Sequence, residues 1–290
     1  MSTPRITRRT PRQIGPQLVL AVLVIYFLIP FWWVIVNSSK DAQGLFGGSN
    51  ALWFGSKVDY LDNFVQLFSY DGGIYLTWLG NSALYAFVGG IGATVLAVLA
   101  GYGLAKYRFA GRRVGFSVLL GAVMVPTTAL VIPTFILFAQ VGLVNTIWSV
   151  ILPTLLNPFG VYLMNVYARD SVPDELLDAA RVDGASEFRS FVQVAVPLMR
   201  PAIVTVLLLS VVSSWNNYFL PLAMLSDSRL YPVTVGIGQW QSIASANNSG
   251  GVSLWSVIIL GSLVSVIPLI IAFLSLQRYW RGGLAIGSLK

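Results

Sequence analysis

Six apolar stretches of membrane-crossing length set the pattern of this chain. A helix needs about 20 apolar residues to cross the hydrocarbon core of a bilayer. All six stretches lack Asp, Glu, Lys and Arg, with the exception of Arg200 near the start of the fifth. The pattern predicts an all-α integral membrane protein with six spans, at about 16–36, 79–104, 114–139, 148–168, 199–222 and 253–276.

The third and fourth spans lie in one uncharged run, 114–168. This run is too long for a single helix, and Gly142 and Asn145 favour a turn within it. Prolines are tolerated in membrane helices because neighbouring groups satisfy the freed carbonyls, but they favour kinks. We therefore expect kinks among the prolines inside the spans, which are Pro126, Pro133, Pro153, Pro158, Pro221 and Pro268.

Positive charge indicates the orientation of the spans. Of the 18 basic residues, all but Lys40, Lys57 and Arg229 precede the first span, follow the sixth, or lie in the second-to-third and fourth-to-fifth loops. Basic residues are enriched in cytoplasmic loops. We therefore predict cytoplasmic tails at 1–15 and 277–290 around a membrane domain at 16–276. Topology accounts for the net charge of +7, so we expect no nucleic-acid partner.

Two segments are expected on the opposite side of the membrane. Residues 40–75 mix glycine, aspartate and aromatic residues, and we predict that they form a short external cap. Residues 223–252 are polar and rich in small residues, which favours an external connection between the last two spans.

Composition removes most kinds of catalytic chemistry. The chain is 56% hydrophobic and only 10% charged, whereas soluble domains carry about 25% charged residues. It has no cysteine and no histidine, which excludes disulfides, Cys/His metal sites and thiol or imidazole catalysis. The sequence also lacks a phosphate loop of the form G-x-x-x-x-G-K-[ST]. We therefore expect no catalytic residue, no metal site and no cofactor on this chain, and interpret the glycine-rich segment 89–94 as a helix-packing surface.

The segment 169–198, between the fourth and fifth spans, combines charge with helix signals. Ser171 is predicted to cap a first helix, with Asp174 in a capping-box position, and Gly184 to end it in the left-handed conformation. Ser186 is predicted to cap a second helix over 187–196. An interfacial helix resting on headgroups is the alternative, but anionic lipid would repel the acids Asp170, Asp174, Glu175, Asp178, Asp183 and Glu187. Two short helices presented to a groove of a partner protein are the better interpretation.

The spacing inside this segment matches a known pattern. Asp178-Ala179-Ala180 is followed by three residues, Gly184, nine residues, and then Val194-x-Val196-Pro197. This resembles the EAA loop of ABC-importer permeases, in which E-A-A is followed by three residues, G, nine residues and I-x-L-P. Asp replaces Glu and Val replaces Ile and Leu, so the charge and the apolar character are kept.

Three other segments extend the resemblance to carbohydrate importers of the maltose type. Residues 277–290 look like the Q-R-Y…G-L…G-A-V-K tail of that family, with departures at Ser288 and Leu289. Residues 215–222 are similar to its W-N-x-F-x-x-P-L segment with slightly altered spacing, and Gly80-Asn81-Ser82 resembles the opening of its second span. In topology the resemblance covers nearly the whole chain, which looks most like the shorter, second permease subunit.

The resemblance implies a type I ABC-importer permease in the cytoplasmic membrane of a bacterium or archaeon, importing a sugar or sugar-like solute. Its implied partners are an ATP-binding-cassette ATPase dimer, which would bind ATP and Mg, a second paralogous permease subunit, an extracytoplasmic solute-binding protein and membrane lipid. The implied ATPase-coupling residues are Glu175, Asp178, Ala179, Ala180, Asp183, Gly184 and Pro197, with Asp178 accepting hydrogen bonds from the ATPase or pairing with one of its basic groups. The implied contacts between the C-terminal tail and the ATPase are Gln277, Arg278, Tyr279, Gly287 and Lys290.

The candidates for the translocation path are Asn81, Trp215, Asn216, Asn217 and Tyr218. Amides and aromatic rings suit the hydroxyls and ring faces of sugars, although interhelical hydrogen bonds and an aromatic belt would explain the same residues. The alternative function is a secondary transporter or channel that works without an ATPase. Proton or sodium coupling usually requires ionisable groups inside the bundle, and the interiors of the predicted spans contain none.

Overall fold

The computed structural model describes residues 14–47, 51–55, 57–246 and 254–284. This part of the chain is helical and contains no strand. The first seven helices are α1 Ile14–Asn37, α2 Ala42–Phe46, α3 Tyr60–Ser69, α4 Ile74–Lys106, α5 Arg112–Met124, α6 Val131–Gln140 and α7 Trp148–Thr154. The others are α8 Pro158–Ser171, α9 Asp174–Val182, α10 Glu187–Ser190, α11 Val196–Trp215, α12 Phe219–Met224, α13 Val233–Ala246 and α14 Leu254–Leu284.

The predicted number of spans agrees with the lengths of the apolar helical segments. Five segments of the described chain are long and apolar enough to cross a membrane, and the bent pair α5 and α6 makes a sixth when it is counted as one span. The turn expected between the third and fourth spans is confirmed, because Gly142 and Asn145 have φ values of 69° and 60°.

The core of the bundle is built around α4, which packs against both α8 and α11. Small residues let the backbones approach closely. A Cβ atom on Gly101 would lie 2.5 Å from Cβ of Met164 in α8, and one on Gly90 would lie 3.1 Å from Cα of Val211 in α11. The interpretation of 89–94 as a packing surface is therefore confirmed at Gly90.

The third predicted span is not one helix. It breaks after Met124, passes through a short 3-10 turn at Thr127–Leu130 and resumes as α6, with an angle of 98° between the two parts. Pro126 lies at the break and has no amide hydrogen to donate, which explains why the helix ends there. Neither α5 nor α6 contains a buried residue.

Two other predicted spans also contain breaks. The fourth is divided into α7 and α8 at Asn157, whose side chain accepts a hydrogen bond from the amide of Gly160 at 2.8 Å and caps α8. The fifth was predicted to continue to 222, but α11 ends at Trp215 and a separate short helix, α12, follows. Pro268, by contrast, lies inside the uninterrupted α14.

The end of the bundle opposite Lys106 contains a packed helix, α13. Within the segment 223–252, α13 buries Trp240, whose ring centroid lies 4.7 Å from that of Trp78 in α4. Tyr75 donates a hydrogen bond from its hydroxyl to the carbonyl of Gly261 in α14 at 2.7 Å. These contacts join both α13 and α14 to α4.

The last helix extends beyond the predicted end of the sixth span. α14 continues from the span to Leu284, so the first eight residues of the predicted tail 277–290 are helical rather than extended. Gln277 and Tyr279 are in this part, together with the backbone of Arg278. Gly287 and Lys290 lie outside the described residues.

Candidate coupling site and solute path

The coupling loop, residues 169–198, contains two short helices joined at Gly184. The carbonyls of Arg181 and Ala180 accept hydrogen bonds from the amides of Gly184 and Ala185 at 3.0 and 2.9 Å. Gly184 has a φ of 79°, as predicted, and no atom lies within 4 Å of the position of a Cβ. Glycine is therefore required there by the left-handed backbone and not by crowding.

The capping predictions had different outcomes. Ser186 caps α10 as expected, because its hydroxyl accepts from the amide of Arg189 at 3.3 Å. Ser171, however, is the last residue of α8, and Pro173 precedes α9 without a side-chain cap. The capping box was wrong because Ser171 belongs to α8 and Asp174 is the first residue of α9, so neither occupies its position in such a box.

The second short helix is also shorter than predicted. α10 ends after one turn at Ser190, and a π-helical turn at Phe191–Ala195 joins it to α11. The extra residue of such a turn allows the chain to change the face that it presents. The coupling loop therefore leads into α11 without a loop of irregular backbone.

The apolar residues of α9 do not share one surface. Leu177 is buried among residues of α4, α8 and α11 and anchors the loop to the bundle. Val182 is 88% exposed, and Phe188 in α10 is 74% exposed. Large apolar side chains in water favour contact with a partner. The EAA pattern gives no signal for Phe188, because it leaves the residue types between Gly184 and Val194 open.

An ion-pair network spans the turn at Gly184. Arg181 donates from Nη1 to Oδ1 of Asp178 at 2.6 Å and from Nε to Oε1 of Glu187 at 2.7 Å. It thus joins the end of α9 to the start of α10. Within this chain Asp178 therefore pairs with Arg181, a contact that the EAA spacing does not indicate.

Lys106, the last residue of α4, holds the start of the coupling loop. Its ammonium donates to the carbonyl of Val172 at 2.5 Å and to Oδ1 of Asp174 at 2.7 Å. The hydrogen bond and the charge of Lys106 hold the pKa of the Asp174 carboxyl below its ordinary value. The stabilisation that this pair gives is present above the ordinary carboxyl pKa and is lost as the pH falls through the lowered value.

The remaining coupling candidates lie on the outer surface of the loop. Glu175, Ala179 and Asp183 are exposed, Ala180 is half-buried, and Pro197 is half-buried in the first turn of α11. Ala179 next to exposed Val182 leaves a small, low-relief apolar surface that another protein can approach closely.

The structure separates the five candidates for the solute path into two groups. The amide of Asn81 donates to the carbonyls of Arg229 and Tyr231 at 2.7 and 3.0 Å, and Trp215 is buried in the core. The side chains of these two residues are therefore held by contacts within the chain. Asn216, Asn217 and Tyr218 form the break between α11 and α12.

The side chains at the break between α11 and α12 are available to a ligand. Within the described residues, the side-chain amides of Asn216 and Asn217 form no hydrogen bond, although the carbonyl of Asn217 accepts from Thr234 at 2.8 Å. The ring of Tyr218 lies against Gly238 and makes an edge contact with Phe219.

The break between α5 and α6 also presents free hydrogen-bonding groups. Thr127 and Thr128 are exposed, and neither their amides nor their hydroxyls donate to a group in the described part of the chain. In hydrocarbon each unsatisfied polar group costs several kcal/mol, so non-helical backbone at membrane depth occurs where protein covers it or water reaches it. The sequence pattern predicts a kink at Pro126 but gives no signal for these threonines.

Comparisons with known proteins agree with this arrangement. Residues 93–281 match the family model described as "Binding-protein-dependent transport system inner membrane component". The arabinooligosaccharides transport system permease protein AraQ of Halalkalibacterium halodurans is 32% identical over 93% of this chain and 94% of its own. The lactose transport system permease protein LacG of Rhizobium radiobacter is 30% identical, over 98% of both chains.

A solved structure has the same fold. It is a chain from a bacterial ABC transporter involved in the import of the acidic polysaccharide alginate, with a TM-score of 0.79 and 24% identity, covering 92% of this chain and 95% of that one. The chain belongs to the family of binding-protein-dependent transport system inner membrane components, as a multi-pass permease subunit of the type I fold.

Proposed function

We propose that this permease carries a sugar or sugar-like solute, and that it works with an ABC ATPase dimer, a second paralogous permease and an extracytoplasmic solute-binding protein. The named relatives support the solute class, since they are permeases for arabinooligosaccharides and lactose. The observation that carries the proposal is the coupling loop, a turn fixed at Gly184 that exposes apolar and acidic side chains at the basic end of the bundle.

The ATPase-facing surface consists of the exposed side of this loop. Val182 and Phe188 would enter a groove of the ATPase, and Glu175 and Asp183 would meet basic groups at its rim. Asp178 would act indirectly, because its carboxylate already holds Arg181 across the turn. A helix in a groove gains affinity from buried apolar anchors and specificity from the charges around them.

The positive charges support an orientation of the chain in the membrane. Lys106, Arg112 and the coupling loop lie at the same end of the bundle, and basic residues favour the cytoplasmic side. With that end inside, the ATPase meets the loop in the cytoplasm and the solute-binding protein meets the end that contains α13. The ATP and Mg of the complex would be bound by the ATPase, whose phosphate loop this chain lacks.

The two helix breaks would line the solute path. Thr127 and Thr128 at one break, and Asn216 and Asn217 at the other, offer side-chain donors and acceptors that no group in the described part of the chain uses. Discontinuous helices commonly supply the polar groups of transporter sites, and α6 packs against α12, which brings the two broken spans together. Tyr218 adds an aromatic surface for a sugar ring.

The C-terminal end would add a second contact with the ATPase. Helix α14 carries Gln277, Arg278 and Tyr279 past the end of its apolar span. The resemblance to the maltose-type tail supports the extension of this contact to Gly287 and Lys290.

Purification of the tagged chain from its native membrane in mild detergent tests the proposal. We expect mass spectrometry to identify an ATPase with a Walker A loop and a second permease, and we expect ATP to drive sugar uptake after reconstitution. Recovery of this chain alone, with transport that needs no ATP, would contradict the proposal and indicate a secondary transporter or channel. Titration of the cognate binding protein with arabinooligosaccharides and lactose then tests the solute class.

A further inference from the structure

The end of α4 contacts both short helices of the coupling loop. Lys106 reaches the start of α9 through two hydrogen bonds, to the carbonyl of Val172 and to Asp174, and only 9% of its side chain is exposed. The next residue, Tyr107, donates from its hydroxyl to Oε2 of Glu187 in α10 at 3.0 Å. The end of α4 and the residue that follows it thus hold two helices that lie more than 60 residues later in the chain.

The ring of Tyr107 packs against an aromatic side chain of the bundle. Its ring lies 5.9 Å from that of Tyr102, at an angle of 84°, and Tyr102 in turn lies 4.8 Å from Phe191. Glu187 also accepts from Arg181, so the hydroxyl of Tyr107 and the guanidinium of Arg181 meet on one carboxylate. The network therefore continues from α4 through α10 to the end of α9.

Apolar packing and hydrogen bonds hold the coupling loop in different ways. Apolar packing of Leu177 holds the loop against the bundle but is not directional, whereas hydrogen bonds to fixed groups set its position and angle. Because α4 packs along both α8 and α11, a displacement of the loop that moves α4 is passed to the whole core.

We infer that Lys106 and Tyr107 are positioning residues that fix the coupling loop to α4, so that α4, α9 and α10 move as one body when the ATPase closes. This inference rests on the proposed function, because it assigns α4 as the span that receives the motion. A loop that contacts the two ATPase states differently can shift the spans only if it is rigidly joined to one of them.

The first test measures ATP hydrolysed per solute transported in the reconstituted complex. The double variant Lys106→Met, Tyr107→Phe removes the donors but keeps most of the apolar volume. We expect ATP hydrolysis to continue and the ratio to rise by at least about fivefold, which is the effect of losing one ordinary hydrogen bond, since the variant removes three. Lys106→Arg keeps the charge and donors and should restore coupling when Tyr107 is intact. Arg113→Gln is the matched control, because Arg113 has the same charge at the same end of the bundle but no hydrogen bond to α9 or α10.

The second test measures hydrogen exchange in the purified permease alone and needs no ATPase. In the double variant we expect faster exchange of the amides in α9 and α10 and unchanged exchange in the middle of α11. Unchanged exchange in the loop would overturn the inference, and so would a looser loop with a normal ratio of ATP to solute. If the wild-type chain brings no ATPase with it, the proposed function fails, while the exchange measurement still decides whether Lys106 and Tyr107 hold the loop.

Discussion

Helix α4 and the broken pair α5 and α6 are neighbours in sequence but opposite in construction. α4 is continuous for 33 residues, and 13 of them are buried against its neighbours, including Gly90 and Gly101. α5 and α6 bend by 98° and bury none. The difference fits the two roles that we propose for these regions, since a continuous packed helix can transmit a displacement and a broken, exposed one can present polar groups.

Glycine substitution gives the largest expected contrast between the two regions. Gly101→Val would place a side chain 2.5 Å from Cβ of Met164 and 2.9 Å from the amide nitrogen of Asn165, and the backbone cannot yield without separating α4 from α8. Overpacking of this kind costs about 3 kcal/mol. We expect little or no monodisperse protein after detergent extraction, measured by size-exclusion chromatography.

The matched control is Gly121→Val in α5, where no atom lies within 4 Å of the added Cβ. This variant should be extracted in nearly normal amounts. Equal losses from the two substitutions would mean that α5 is as tightly packed in the membrane as α4, and the contrast between the regions would disappear.

The second contrast concerns turns and leaves the fold intact. Gly184→Val in the coupling loop and Gly142→Val after α6 both place valine at a positive φ, 79° and 69°, with no atom near the new Cβ. A non-glycine residue in the left-handed region costs about 1–2 kcal/mol. We expect Gly184→Val to lose ATP-driven transport by at least about tenfold, because α9 and α10 change their relative angle.

Gly142→Val carries similar backbone strain far from the coupling loop, so its transport should stay close to that of the wild type. Abundance in the membrane, measured by immunoblot, should be similar for both variants. Near-normal transport by a well-expressed Gly184→Val protein would show that the angle of the loop is unimportant.

The third contrast uses the absence of native cysteine. A polar maleimide reacts with a thiol that water reaches, so exposure to lipid is not sufficient. We expect labelling of Thr127→Cys at the break, but not of Thr94→Cys, which is buried in α4, or of Ile25→Cys, which is exposed on the apolar α1. Mass spectrometry after reaction in intact membranes measures the fraction labelled.

Protection of Thr127→Cys in the assembled complex, with labelling of the isolated chain, would mean that a second permease covers the break instead of water. Labelling of all three positions to the same extent would contradict the distinction between polar break, packed core and lipid surface.

Sequence patterns predict some of these features because the signals are local. The spans follow from apolar length, and the positive φ at Gly142, Asn145 and Gly184 follows from residue type and position. Pro126 and Pro268 lie in equally apolar stretches, yet only Pro126 stands at a break. Tolerance of proline depends on which groups satisfy the freed carbonyls, and those groups come from tertiary contacts.

In the coupling loop, the turn was predicted from sequence but the ion pairs were not. The EAA spacing indicated the glycine, which has the expected positive φ, whereas the pairing of Asp178 with Arg181 has no signal in that spacing. Lys106 was interpreted only as a topology signal, because its contact with Asp174 joins residues 68 positions apart. The capping box failed because α8 continues through Ser171 and α9 begins only at Asp174, and helix boundaries of this kind depend on packing as well as on the local pattern.

The smallest expected effect distinguishes a solute-binding amide from a structural one. Asn217→Ala removes a side chain that forms no hydrogen bond within the described chain, at the break after α11. If the amide contacts the solute, the loss of one hydrogen bond should raise the KM of transport about fivefold while the protein stays equally stable.

Asn81→Ala instead removes the donor for the carbonyls of Arg229 and Tyr231. It should lower the melting temperature of the purified permease without changing KM, because an unsatisfied carbonyl destabilises the fold and not the solute complex. The opposite result, a change of KM for Asn81→Ala alone, would move the solute path from the break after α11 to the packed face of α4.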